Sequence, residues 1–203
     1  MEPASFSKML DAIFELTKTQ NSIQIRDLFT VLKGKGYAVL LVVFSLPCAL
    51  PIQIPGFSAV FGLILTFLGL RLIFSKNLWW PEWILKKKLS SRSVQIVLEK
   101  IRKICRIVRR GARPRLPGLV SSPFSRILNG LLVTSLALFL SLPLPIPLSN
   151  MLAALPILFL GLGILEEDGV IILFSYFLFV MGIFAAIALF IFGFEQLRQV
   201  LDK

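Results

Sequence analysis

Leu50-Pro51-Ile52-Gln53-Ile54-Pro55 stands between two apolar runs, and Leu142-Pro143-Leu144-Pro145-Ile146-Pro147 stands between two more. Proline removes a backbone donor and clashes with the turn before it, so at both places a helix must end and the chain must turn sharply. The likeness continues past the prolines. At a constant offset of 92 and without gaps, residues 50–72 match residues 142–164 at Leu50, Pro51, Ile54, Pro55, Leu63, Phe67, Leu68, Gly69 and Leu70. Leucine matches alone carry little weight in so apolar a chain; the prolines and the Phe67-Leu68-Gly69-Leu70 block carry the comparison. The pattern predicts a duplicated membrane hairpin, each copy an apolar helix, a proline corner and a second apolar helix.

Outward from the first corner, Tyr37–Leu50 is apolar with Pro47 near its end, and Phe57–Phe74 is longer, interrupted by Gly62 and Gly69. About 15 residues of helix reach roughly 22 Å, short of the ~30 Å hydrocarbon core, so the first helix is short for a free span and the hairpin either spans fully or only re-enters. Around the second corner, Ile127–Leu142 and Met151–Leu165 repeat the short and long runs. Glu166-Glu167-Asp168-Gly169 stops the second hairpin, and Val170–Phe194 supplies an unpaired run long enough to cross with some tilt. Trp79, Trp80 and Trp83 follow the first hairpin and mark a headgroup-level interface.

The polar segments have their own periodicity. Phe6, Met9, Leu10, Ile13, Phe14 and Leu16 form a helical stripe, and a second short helix is expected from about Ile25 to Lys33, ended by Gly34 and Gly36. Val94, Val97, Leu98, Ile101, Ile104, Cys105 and Val108 follow helical spacing, with Lys100, Arg102, Lys103, Arg106, Arg109 and Arg110 between them. Such a basic amphipathic helix suits the anionic headgroups of membrane lipids, or else packs against the N-terminal helices. The predicted organisation is a cytoplasmic helical cap (1–35), a first hairpin (36–75), a basic cytoplasmic linker with the amphipathic helix (76–126), a second hairpin (127–165), and a last transmembrane helix with its tail (166–203).

With 56% hydrophobic residues and a mean hydropathy of +0.84, the chain is read as an all-α integral membrane protein. Of its 22 Lys and Arg, only Arg71, Arg198 and Lys203 lie outside residues 1–35 and 76–126. Cytoplasmic loops retain Lys and Arg, so the net charge of +11 is read as topology and not as a nucleic-acid surface; the basic stretch also lacks the interleaved aromatics that stack on bases. Residues 76–126 contain no run long enough to span, so both hairpins begin and end on the cytoplasmic side, the repeats are parallel, and the N-terminus is cytoplasmic. The first 20 residues hold Glu2, Asp11 and Glu15 and no early apolar core, so entry into the membrane through the chain's own spans is expected.

With no histidine, a Ser–His–Asp set is impossible, and no phosphate-cradling G-x-x-x-x-G-K loop appears. Cys48 and Cys105 have no metal-ligand spacing, and no cofactor is expected. The candidate contacts are therefore polar groups at the edges of the apolar runs. Arg71 lies near the end of a span, where it snorkels to the interface, pairs with Glu166 or Asp168, or holds an anionic headgroup with its planar fork. Glu166, Glu167 and Asp168 either stop a span or contact a cation or headgroup. Gln53 and Asn150, at the two corners, either satisfy backbone groups freed by proline or line a cavity.

The chain also resembles a known family. Leu46-Pro47, Leu50-Pro51, Pro55-Gly56 with Gly62, Leu68-Gly69-Leu70, Arg113-Pro114-Arg115-Leu116-Pro117, Leu142-Pro143-Leu144-Pro145, Asn150 and Leu165 to Gly169 look like the ExoD family of bacterial membrane proteins, over about residues 5 to 195. Cys48, Arg71 and Glu167 depart from the residues expected at their positions. The resemblance implies a location, the bacterial inner membrane, and a process, exopolysaccharide or cell-envelope synthesis. The expected role is to bind or translocate a lipid-linked or anionic intermediate without catalysis. The rival is a small ion- or proton-coupled transporter, disfavoured because the apolar runs contain no mid-depth carboxylate. A membrane enzyme ranks below both, for want of a nucleophile and base.

Overall fold

The computed structural model describes residues 6–19, 22–32, 35–50, 57–74, 86–109, 119–120, 122–142 and 149–201. Both proline corners, Gln53, the tryptophan cluster and Arg113–Pro117 lie outside those residues. The described elements are α1 (Phe6–Thr19), β1 (Ser22–Gln24), α2 (Ile25–Val31), α3 (Gly36–Cys48), α4 (Phe57–Phe74), β2 (Lys88–Ser90), α5 (Ser91–Arg109), α6 (Pro123–Ser141), α7 (Ser149–Glu166) and α8 (Gly169–Leu201). Each expected helical run is a helix. Helix α6 starts earlier than the apolar run 127–142 because Pro123, lacking an N–H that would go unused there, occupies the first turn after Ser122. Of the described helices, α6 and α7 are each long and apolar enough to cross a membrane.

Four helices close a ring in which α3 touches α4 and α7, and α6 touches α4 and α7. The widest contact is α4 on α6, followed by α8 on α7 and α3 on α7. Helices α3 and α7 are apolar all round and largely buried; Leu41, Ile157, Leu160, Leu162 and Leu165 have no more than 1% of their surface exposed. Close backbone approach fixes two of the seams. A Cβ placed on Gly69 would come within 2.8 Å of Thr134 N and 3.1 Å of Gly130 O on α6. One placed on Gly161 would come within 2.9 Å of Val42 Cγ2 and 3.1 Å of Ala38 O on α3. Adding 92 converts Ala38, Val42 and Gly69 into Gly130, Thr134 and Gly161, so the same contact occurs twice at the offset of the proline corners.

Proline inside α7 leaves a second trace. Pro156 has no N–H for the carbonyl of Leu152, and α8 comes close at that level, with the nearest contact of a Cβ on Gly182 being Leu152 O at 3.5 Å. About two turns nearer the start of α8, Ser175 Oγ donates to the Pro156 carbonyl at 2.7 Å.

One feature departs from the sequence reading, and another decides between its alternatives. Ser22–Gln24 and Lys88–Ser90 form an antiparallel ribbon, Ile23 opposite Leu89, with Ile23 fully buried. Three-residue strands 66 positions apart give no local alternation to read. The amphipathic helix α5 buries Val94, Leu98 and Ile101 in a cluster with Met9, Leu10 and Ile13 of α1 and Leu158, Leu162 and Leu165 of α7. Of the two partners expected for that stripe, the N-terminal helix has taken these three residues, while Ile96, Val97, Lys100 and Lys103 stay exposed. Arg102 pins the contact, pairing with Asp11 and lying 4.8 Å from the centre of the Phe14 ring, and Gln95 donates to Thr17 Oγ1 at 3.1 Å.

Candidate functional site

The acidic corner between α7 and α8 is a compact capping device. Glu167 has φ 55, in the left-handed region, and behind it the Asp168 N–H donates to Gly163 O at 2.9 Å, a closing bond typical of a helix C-terminus. Asp168, only 2% exposed, then begins the next helix: its Oδ1 accepts the Val170 N–H at 2.9 Å. Gly163 is where the two helices touch, since a Cβ there would meet Ile172 N at 3.0 Å.

Lys35 completes the corner. Its ammonium lies 2.8 Å from Glu167 Oε1 and donates to the Leu165 carbonyl at 3.1 Å, occupying one of the carbonyls that a helix end leaves without an intrahelical donor. A lysine between Gly34 and Gly36 reads in sequence as a helix stop, and nothing local announces a partner 132 residues away. Because Lys35 is mostly buried and Glu167 partly so, Lys35→Met should cost about 1–2 kcal/mol and lower the thermal midpoint by roughly 2–8 °C. Glu167→Gly should be tolerated better than Glu167→Ala by about 1 kcal/mol, because only glycine relieves the left-handed backbone. Thermal unfolding of the three variants checks both; an alanine variant as stable as the glycine one would remove the strain argument.

The other expected residues fall at two separate levels. Glu166, the last residue of α7, is half-buried at this corner, and Arg71 is half-buried near the end of α4 with its guanidinium 6.0 Å from the Phe67 ring centre. Asn150 is half-buried in the first turn of α7, beside the buried Ser149. Sixteen residues of helix separate Asn150 from Glu166, about 24 Å, so one small headgroup cannot touch both.

A further polar group was not anticipated from sequence. Asn129 on α6 is buried and accepts a hydrogen bond from the Tyr176 hydroxyl of α8 at 2.6 Å, tying the last helix across to α6. Tyr37 on α3 and Arg126 on α6 each bury a polar atom, Oη and Nε, without a hydrogen-bond partner. All four sit within or beside apolar runs, where a lone polar letter carries no signal of what it faces.

Comparison with known proteins gives a consistent picture. The family described as exopolysaccharide synthesis, ExoD, matches residues 6–190. The chain is 32% identical over 161 residues to Protein ExoD of Rhizobium meliloti (strain 1021), covering 79% of this chain and 67% of that protein. It is also 32% identical over 170 residues to an uncharacterised protein of Synechocystis sp., covering 83% of this chain and 79% of that one. No solved structure matches it.

Proposed function

Because this chain belongs to the ExoD family, described by exopolysaccharide synthesis, we propose that it is a multi-pass protein of the bacterial inner membrane that supports exopolysaccharide or cell-envelope synthesis. In this reading α3–α4 and α6–α7 are parallel hairpins, α8 is the last span, and the N-terminus is cytoplasmic. The protein binds or passes on an anionic or lipid-linked intermediate and breaks no covalent bond.

The observation that carries the membrane part is the outer surface of the bundle. Val60, Leu63, Phe67, Leu70 and Phe74 on α4, Phe124, Ile127, Leu128, Leu131 and Leu138 on α6, and Val170, Leu173, Phe174, Phe177, Val180, Met181 and Phe184 on α8 are all exposed. Each set follows helical spacing, so three helices present continuous apolar stripes outward; Phe74 is 83% exposed. Soluble monomers rarely expose apolar patches beyond a few hundred Å², whereas lipid solvates such stripes. The twice-used glycine contact supports the hairpin duplication. Anionic lipid at the cytoplasmic face falls to the exposed Lys100 and Lys103 with Ile96 and Val97, and the intermediate to Arg71 with Glu166 and Asp168 at the rim or to Gln53 and Asn150 at the corners.

A strain lacking this protein should lose exopolysaccharide, and the wild-type chain should restore it. Arg71→Lys should restore it only if the arginine snorkels, because a bidentate grip on phosphate needs the planar fork. Full restoration by Arg71→Ala, at normal abundance, would remove Arg71 from the site. In cysteine-free protein, a thiol at position 100 should label from the cytoplasm and one at position 149 from outside or not at all. Labelling of position 100 from outside would overturn the topology.

A further inference from the structure

We propose that the end of the α3–α4–α6–α7 ring at which α3 and α6 begin binds one phosphate-type oxyanion, with Tyr37 Oη, Arg126 Nε and Asn129 Nδ2 as its donors. This rests on the reading above and supplies it with a ligand chemistry and residues. The helix directions bring the three to one end. Along α4, Gly62 meets Ser141 and Ala137 while Gly69 meets Thr134 and Gly130, so α4 and α6 are antiparallel. Phe44, late in α3, and Phe61, early in α4, pack at 5.6 Å, as α3 and α4 run in opposite senses. Helices α3 and α6 are therefore parallel, and their first turns share one end.

Tyr37 is the second residue of α3 and Asn129 its counterpart at the offset of 92. Both are buried, at 5% and 2% exposure, and Tyr37 belongs to the same central cluster as Leu132 and Val133, the next turn of α6. Arg126 lies three residues before Asn129, on the same side of α6. The Tyr37 hydroxyl and Arg126 Nε are buried without a partner, and Asn129 Oδ1 is already taken by Tyr176, which leaves its Nδ2 to donate. Of the acids at this end, Glu167 is engaged by Lys35, Asp168 by the start of α8, and Glu166, half-buried as the last residue of α7, has a partner of its own. A buried donor without an acceptor is destabilising and is retained where something supplies the acceptor. Donors with a cation among them call for an anionic oxygen, and a phosphate-type oxyanion matches the arginine fork while offering further oxygens to the other two donors.

The test uses the full chain in phosphatidylcholine nanodiscs, titrated separately with phosphatidic acid and with inorganic phosphate, and read by native mass spectrometry and calorimetry. One equivalent should bind. Tyr37→Phe and Arg126→Lys should each weaken it about tenfold or more, while the ligand-free thermal midpoint of Tyr37→Phe holds or rises, since that change removes an unpartnered hydroxyl. Saturation by phosphatidic acid alone assigns a lipid headgroup; saturation by both assigns phosphate itself. Unchanged affinity in both variants, an equal loss in Arg26→Gln on the exposed surface of α2, or no binding of either ligand, as when water satisfies the donors, would overturn the site. If the wild-type chain restores exopolysaccharide and binds neither ligand, the site fails and the role stands; the reverse result removes the role and leaves the site.

Discussion

Gly69→Leu should leave almost no folded protein, and Gly161→Leu should do the same from the other side of the bundle. At Gly69 a Cβ would sit 2.8 Å from the backbone nitrogen of Thr134 and 3.1 Å from the backbone oxygen of Gly130. Backbone cannot rotate away as a side chain can, so the helices must separate along the seam where they make their widest contact. Overpacking by a methyl group costs about 1–3 kcal/mol, and a leucine at a backbone contact costs more than that. Small residues are what allow helices in lipid to approach this closely. Gly182 provides the contrast: the nearest atom to its Cβ is Leu152 O at 3.5 Å, an ordinary contact. Gly182→Ala should therefore be neutral or stabilising by up to about 1 kcal/mol, since alanine is the better helix former. The measurement is the monodisperse yield in mild detergent with the thermal midpoint. A Gly69→Leu protein with wild-type yield and midpoint would show that the α4–α6 seam is not packed in this way.

Leu131→Arg on α6 and Phe177→Arg on α8 should each strongly reduce stable insertion into the membrane. Both side chains point outward, 55% and 57% exposed. In a water-soluble protein an arginine at such a site changes stability by no more than about 0.5 kcal/mol and tends to improve solubility. At the centre of a membrane span it costs about 2.5–3.5 kcal/mol. The two environments thus predict opposite outcomes from one substitution. Resistance to alkaline extraction, compared with Arg26→Gln as a surface control, reads the difference. Unaltered membrane retention of both arginine variants would sink the proposal that these stripes face lipid.

The physical reason some of this was legible in sequence is that helix-breaking and helix-forming signals are local. Pro51, Pro55, Pro143 and Pro147 delimit the apolar runs without reference to anything distant, and the runs they delimit are α3, α4, α6 and α7. The spacing of Val94, Leu98 and Ile101 announced an apolar helical face for the same reason. Its partner was not local: these three residues, which could have lain on lipid, are covered by Met9, Leu10 and Ile13. Lys35 shows the limit most plainly. As a letter between two glycines it is a helix stop, and only the fold brings it to the Leu165 carbonyl and the left-handed Glu167.

Sequence alone determined that the chain is helical and apolar, where its helices break, that residues 50–72 and 142–164 share a pattern, and which family it joins. Tertiary structure decided which helices pair: α3 with α7 and α4 with α6, each crossing between the two related segments, and α8 held by Asn129, Pro156 and Gly163. The reason is that leucine meets leucine as readily as it meets a lipid tail, so apolar letters fix burial without fixing partners. The choice rests on the few positions where side chains shrink to a hydrogen or carry one polar atom, and what those positions face exists only once the helices are packed.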